Sequence, residues 1–177
     1  MTDEQLMSLV KAGKLDYLNE LFQRYSKRIY NYFLKSTLDK SDSDDLTQDL
    51  FIRVMKYRTS YKEGSTVQYW IFQIARNMVK DYFKKMKVNK DQFNPVEVMP
   101  EVVEEDQSLQ FEKEKQLHVA MKSLSDEKRE LLVLSKFQGL KYEQIAKMRE
   151  TTVSNIKVQV HRTLKELKDL YFQLETN

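Results

Sequence analysis

One stretch divides this chain. Asp91–Ser108 holds both prolines, Pro95 and Pro100, with six acidic side chains and no lysine or arginine. A segment with two helix breakers, this charge and no helical periodicity reads as a linker, not as part of a packed core. The expected organisation is two small domains, residues 1–88 and 112–177, joined by an acidic linker at 89–111. The linker also carries Val96, Val98, Met99, Val102 and Val103. Two readings stay open for it: a flexible tether, or a segment that docks on a partner. The chain has a formal net charge of +3. The parts outside the acidic stretch are therefore distinctly basic, which suits a polyanionic partner.

The halves themselves read as helices. Only three glycines occur, all isolated (Gly13, Gly64 and Gly139), and there is no cysteine. That excludes a disulfide framework, a zinc–cysteine site and a thiol nucleophile. It also leaves too little glycine for a phosphate-cradling loop. In the N-terminal half, Leu18, Leu21, Phe22, Tyr25, Ile29, Tyr32 and Phe33 recur at helical spacing. After a stop at Asp39–Asp42, Ser41 or Ser43 is expected to cap a helix with Leu46, Leu50, Phe51, Val54 and Met55 on one face. The pairs Trp70/Ile71, Ile74/Ala75, Met78/Val79 and Tyr82/Phe83 then repeat every four residues. The C-terminal half begins with Leu117, Met121 and Leu124 on a helix. Ser125 is an expected N-cap, and Gly139 suits a left-handed helix stop. No run is apolar and long enough to span a membrane, and the N-terminus lacks a signal-peptide pattern. The expectation is an all-α, soluble, cytoplasmic protein without membrane insertion.

Three constellations bear on function. A short helix with Tyr142, Ile145, Ala146 and Met148 precedes a turn at Arg149–Thr151. Thr152 then caps a longer helix with Val153, Ile156, Val160, Leu164 and Leu167. This is the plan of a helix-turn-helix, with Ala146 small at the crossing. The outward face would carry Ser154, Asn155, Lys157, Val158, Gln159, His161 and Arg162, groups able to meet base edges and phosphates. A polar face on an ordinary bundle is the competing reading. The turn is atypical, with Glu150 where glycine is common and Arg149 where an apolar residue is common.

The second constellation runs from Lys56 to Lys90, with nine basic residues against two acids and interleaved aromatics. Basic charge tracks phosphates and aromatic faces stack unpaired bases. Trp70, Tyr82 and Phe83 fit a core better, whereas Tyr61 and Tyr69 near Gly64 fit stacking. The third is acidic: Asp42, Asp44, Asp45 and Asp49 with Gln48. Consecutive aspartates on a helix point in different directions and no histidine is near. A solvated face or a dock for a basic partner is favoured over a metal site. The two histidines, His118 and His161, are far apart, and no nucleophile or HExxH motif is present. No enzymatic activity, metal or cofactor is expected.

These residues resemble a known family. Leu21–Tyr30, Ser43–Phe51 and Tyr69–Asn77 are similar in sequence, order and spacing to region 2 of bacterial sigma factors of the extracytoplasmic-function (ECF) branch. Leu124–Leu167 resembles their region 4. The resemblance implies a specificity subunit of RNA polymerase, with a region 2 helical bundle and a region 4 helix-turn-helix. It implies that Asp44, Asp45, Leu46, Gln48, Asp49, Phe51 and Arg53 bind the beta-prime clamp helices of core polymerase. It implies that Tyr61, Lys62, Glu63, Gly64, Ser65, Gln68, Tyr69, Arg76, Asn77 and Lys80 read and melt the minus-ten element. A base flipped from the stack would be captured there, with Asn77 beneath the loop. Thr152, Ser154, Asn155, Lys157, Val158, Gln159, His161 and Arg162 would face the minus-thirty-five element.

The same resemblance implies further partners: the beta flap of polymerase, promoter DNA and an inhibitory anti-sigma factor. It also implies that the acidic linker threads through polymerase. Extended, about 20 residues reach on the order of 65 Å. Val158 and Gln159 stand where the family often has a small polar residue and an arginine, so base preference is not inherited. Without cysteine, thiol-based redox sensing would have to reside in a partner. Two alternatives differ in class: a stand-alone helix-turn-helix regulator, which needs no acidic patch, and a helical adaptor, which needs no salt-dependent DNA affinity.

Overall fold

A computed structural model describes residues 1–90 and 109–176. The acidic stretch Asp91–Ser108 lies outside the described residues. The described residues form helices joined by short turns, without a strand. The helices are α1 (Asp3–Lys11), α2 (Leu18–Thr37), α3 (Lys40–Tyr57), α4 (Val67–Lys90), α5 (Leu109–Ser123), α6 (Asp126–Leu132), α7 (Tyr142–Met148) and α8 (Val153–Glu175). Helix α4 runs through Lys90 and α5 starts at Leu109, so both ends of the expected 89–111 linker are helical.

In the N-terminal half, α2 and α3 form a hairpin. Leu38 takes a left-handed φ of 61° and its N–H returns to the Leu34 carbonyl, which ends α2. One residue later Asp39 caps α3 by accepting from the Asp42 N–H at 2.7 Å. The cap is therefore Asp39 and not Ser41 or Ser43; Ser43 is buried and donates back to the Asp39 carbonyl. The hairpin encloses Leu21, Tyr25, Ile29, Tyr32, Phe33, Leu50 and Val54, and α4 adds Trp70, Ile71, Phe72, Ala75, Met78 and Val79. Tyr32 and Phe72 meet edge to face at 5.4 Å.

Helix α1 closes one side of this bundle. Thr2 and Gln5 form a reciprocal capping box. Leu6, Met7 and Val10 are fully buried, and Asp3 accepts from the Tyr25 hydroxyl at 2.5 Å.

In the C-terminal half, Ser125 caps α6 as expected. Helix α6 then widens into a π turn over Val133–Phe137, and Gly139 follows at φ 65°. The widened turn puts Val133 and Leu134 inside but leaves Phe137 partly exposed, with Lys35 of α2 over its ring at 4.5 Å. Arg129 organises the whole junction. Its guanidinium donates to the carbonyls of Met121, Lys122 and Leu124, and across to Ser36 of α2 at 3.3 Å. Burial pushes its pKa down while neighbouring Asp126 opposes the shift. The two halves share one continuous set of buried residues, and α2 packs against α6 and the π turn.

Candidate polymerase and nucleic-acid interfaces

Helix α3 displays the acidic face. Asp44, Asp45, Gln48 and Asp49 are exposed, Leu46 and Arg53 are half-buried, and Asp42 is tied to the Tyr82 hydroxyl at 2.8 Å. Phe51 differs from expectation. It is 6% exposed and its ring packs on Phe22 at 4.8 Å, so it supports the helix from inside. The exposed apolar side chains on this helix are Ile52, Met55 and, at its last position, Tyr57. Positions 45, 49 and 52 share a face at helical spacing, as do 44, 48, 52 and 55. The face combines carboxylates with a small apolar patch, the chemistry of a dock for a basic, partly apolar surface.

The aromatic–basic surface centres on the turn before α4. Lys62, Glu63 and Gly64 are exposed and Ser65 half-buried. Gly64 has φ 88°, a conformation that side-chain-bearing residues rarely adopt. Tyr61 is a correction. It is 1% exposed, packs edge to face on Trp70 at 5.5 Å, and donates its hydroxyl to the Ser65 carbonyl at 2.5 Å. Lys11 of α1 donates to its carbonyl at 2.8 Å. Tyr61 thus braces the turn from below and offers no face to a base. Tyr69 is also buried, with Lys147 of α7 over its ring at 5.4 Å and its hydroxyl accepting from Gln73. Burial raises the pKa of both phenols. Asn77 and Lys80 are exposed on α4.

The helix-turn-helix forms as read. Ile145, Ala146, Ile156 and Val160 are buried, and Thr152 caps α8 by accepting from the Asn155 N–H at 3.1 Å. Glu150 adopts φ 54°, the conformation for which glycine is usual. Ser154, Asn155, Lys157, Val158, His161 and Arg162 are exposed, so the face stands clear of its own bundle. Gln159 is half-buried and accepts from Arg149 at 3.3 Å through its side-chain oxygen. Its amide nitrogen remains as a donor.

Sequence reading missed the junction that joins these surfaces. Glu130 of α6 accepts from Arg76 of α4 at 2.7 Å through one oxygen and from Arg149 at 2.8 Å through the other. Arg76 also donates to the Met148 carbonyl at 2.8 Å. Gln68 reaches the Gln138 carbonyl at 3.4 Å, Arg28 reaches it at 3.0 Å, and Gln144 donates to Thr66 at 3.2 Å. The only sequence signal was Arg149, noted as polar where an apolar side chain is common. Beyond this junction an open cleft of about 870 Å³ runs between α4 and the helix-turn-helix, with Lys80, Lys84 and Lys87 on one wall. No helix among the described residues is long and apolar enough to cross a membrane.

Comparison with known proteins matches both halves. Residues 21–88 match the Sigma-70 region 2 family and residues 114–167 match the Sigma-70, region 4 family. The chain is 30% identical to the ECF RNA polymerase sigma factor SigM of Bacillus subtilis over 157 residues, covering 87% of this chain and 94% of SigM. It is 26% identical over 175 residues to the RNA polymerase sigma factor CarQ of Myxococcus xanthus, covering 96% of this chain and 97% of CarQ. Its fold is similar to that of the sigma factor RpoE of Bartonella quintana, solved with the anti-sigma factor NepR. That match has a TM-score of 0.69 at 22% identity and covers 88% of this chain and 96% of RpoE. With both regions present in order and the relatives matched over most of their length, the chain belongs to the ECF RNA polymerase sigma factors.

Proposed function

We propose that this sigma factor binds core RNA polymerase through the Asp44–Met55 face of α3, reads the minus-ten element with α4 and its preceding turn, and reads the minus-thirty-five element with α8. It is a specificity subunit and not an enzyme. The observation that carries the reading is the separation of three chemistries onto three helices: carboxylates with exposed Ile52 and Met55 on α3, lysines along α4, and an exposed polar–basic face on α8. Gln68, Asn77 and Lys80, with the exposed turn Lys62–Gly64, are the side chains best placed for the melted strand. Tyr61 holds that turn in shape. An ECF-type inhibitory partner is part of the proposal, since the similar RpoE was solved with an anti-sigma factor.

The test mixes purified protein with core polymerase and a library of promoter fragments. Co-elution and selective initiation support the reading. Folded protein that forms no complex removes it. A stand-alone regulator is the weaker reading, because it gives the α3 face no purpose.

Arg162→Ala tests the α8 assignment. The side chain is exposed and makes no ion pair among the described residues, so its loss leaves the fold intact. Removal of one phosphate contact lowers duplex affinity by on the order of tenfold and reduces the salt dependence by about one counterion. Binding to core polymerase is unchanged. An unaltered footprint over the minus-thirty-five region counts against the assignment.

A further inference from the structure

We infer that Glu130 is an intramolecular latch: its carboxylate takes the place of nucleic-acid phosphate on Arg76, holds Arg149 of the helix-turn-helix at the same point, and so keeps the free chain closed over its own minus-ten surface. The inference rests on the minus-ten reading of α4 proposed above.

The geometry is specific. One carboxylate serves two guanidinium groups, one from each half, at 2.7 and 2.8 Å. All three side chains are nearly withdrawn from water, at 11–14% exposure. Charge-assisted pairs of this kind are strong only while the geometry holds and become costly when one member is removed. The trio also carries one positive charge in excess, and the Arg149 Nε is buried without a hydrogen-bond partner. An unmet buried donor costs the closed junction part of what its charge-assisted bonds contribute.

The same junction covers the surface proposed to meet DNA. Gln68 donates to the Gln138 carbonyl, Tyr69 lies beneath Lys147, and Arg76 is held by Glu130 and the Met148 carbonyl. Lys80, Lys84 and Lys87 stay open along the cleft. A strand attracted by these lysines finds Arg76 already occupied by the Glu130 carboxylate, which has to be displaced before phosphate can take its place. Opening on polymerase would free Arg76 for phosphate. The contacts beside the trio are polar as well: Gln68 and Arg28 donate to the Gln138 carbonyl and Gln144 donates to Thr66.

Glu130→Gln keeps the shape and removes the charge. In the free protein it is expected to raise affinity for a fluorescent single-stranded minus-ten oligonucleotide, taken from a promoter that the holoenzyme selects, by on the order of tenfold, because the closed population no longer discounts binding. The radius of gyration from X-ray scattering should increase. Holoenzyme made with Glu130→Gln should initiate as wild type does, since the junction is already open there. Equal oligonucleotide affinity with unchanged dimensions overturns the latch.

A second measurement does not depend on how well that variant folds. The chain has no cysteine, so Thr66→Cys with Gln144→Cys gives one addressable pair across the junction. A short cleavable bis-maleimide on this pair should abolish oligonucleotide binding and initiation, and cleavage should restore both. Full initiation by the cross-linked protein overturns the latch. Holoenzyme carrying Gln68→Ala with Lys80→Ala separates the two ideas. Lost initiation there, with no effect of Glu130→Gln or of the cross-link, removes the latch alone. Retained initiation removes the minus-ten reading and the latch with it.

Discussion

Replacing Asp45 and Asp49 together by lysine is expected to abolish complex formation with core RNA polymerase, with affinity lowered on the order of 100-fold or more. Loss of one partner from a desolvated charge pair at an interface costs about 2–5 kcal/mol, and here two charges are reversed rather than removed. The two aspartates lie one turn apart on α3, and Ile52 follows one turn later on the same face. Both are exposed, and neither takes part in a hydrogen bond or ion pair among the described residues. The fold should therefore survive, with helicity and melting temperature close to wild type. Analytical size-exclusion with core enzyme reads the loss directly. Retained co-elution would move the docking surface elsewhere. As a control, Phe51→Ala should destabilise the bundle itself, because that ring is packed inside against Phe22.

Arg129→Ala is expected to have the largest effect on stability, about 3 kcal/mol or more. The guanidinium serves four carbonyls: Met121, Lys122 and Leu124 at the end of α5, and Ser36 near the end of α2. These are carbonyls that helix ends leave without intrahelical partners. The Met121 carbonyl keeps the Leu124 N–H at 3.2 Å, but removing the donor takes the guanidinium bond from the other three in a site that water reaches poorly. Each unmet buried acceptor costs about 1–3 kcal/mol before relaxation. For a chain of this size the melting temperature should fall by about 10 °C, given 2–4 °C for each kcal/mol. Arg129→Lys should recover little, since a single ammonium cannot reproduce a planar fork that reaches several carbonyls. A thermal melt of both variants decides this. A lysine variant as stable as wild type would show that charge, rather than the fork, holds the junction.

What was legible in the sequence was periodic or local. The stripe on α2 and the paired positions on α4 recur at helical spacing over several turns, and both elements formed as read. Thr152 and Ser125 were readable as caps because their hydroxyls act on residues three positions away. The helix-turn-helix was legible for the same reason, although Glu150, which made the turn look atypical, takes the left-handed conformation that glycine usually supplies. Choices among adjacent local options were less so. Asp39 displaced Ser41 and Ser43 as the α3 cap because Leu38 turns left-handed just before it, and nothing in a leucine announces that conformation.

Burial was legible where it followed a stripe, as for Trp70, and not where it depended on a distant element. Tyr61 looked like a loop aromatic, yet Trp70 of the next helix covers its ring and α1, fifty residues earlier, closes over its backbone. Phe51 looked like part of an exposed apolar edge until Phe22 covered it. The π turn at Val133–Phe137 changes which side of a leucine-rich run faces inward, and period counting does not register it. Glu130 was hidden most thoroughly. An acid on a short helix has no pattern of its own; it acquires meaning only when Arg76 and Arg149, 54 and 19 residues away, converge on it.

The placement of Gln68, Tyr69 and Arg76 beneath the C-terminal half bears on how such a subunit searches a chromosome. A genome offers on the order of 10⁶–10⁹ competing sites to any exposed cationic surface. A copy closed in the proposed way would present its α8 face and a row of lysines, but withhold the surface proposed for melted strands. Free copies would thus spend little time stalled at transient bubbles, replication forks or transcribed genes. The inventory of unbound subunit would stay available to polymerase, and scanning for promoters would fall to the assembled holoenzyme rather than to the loose factor.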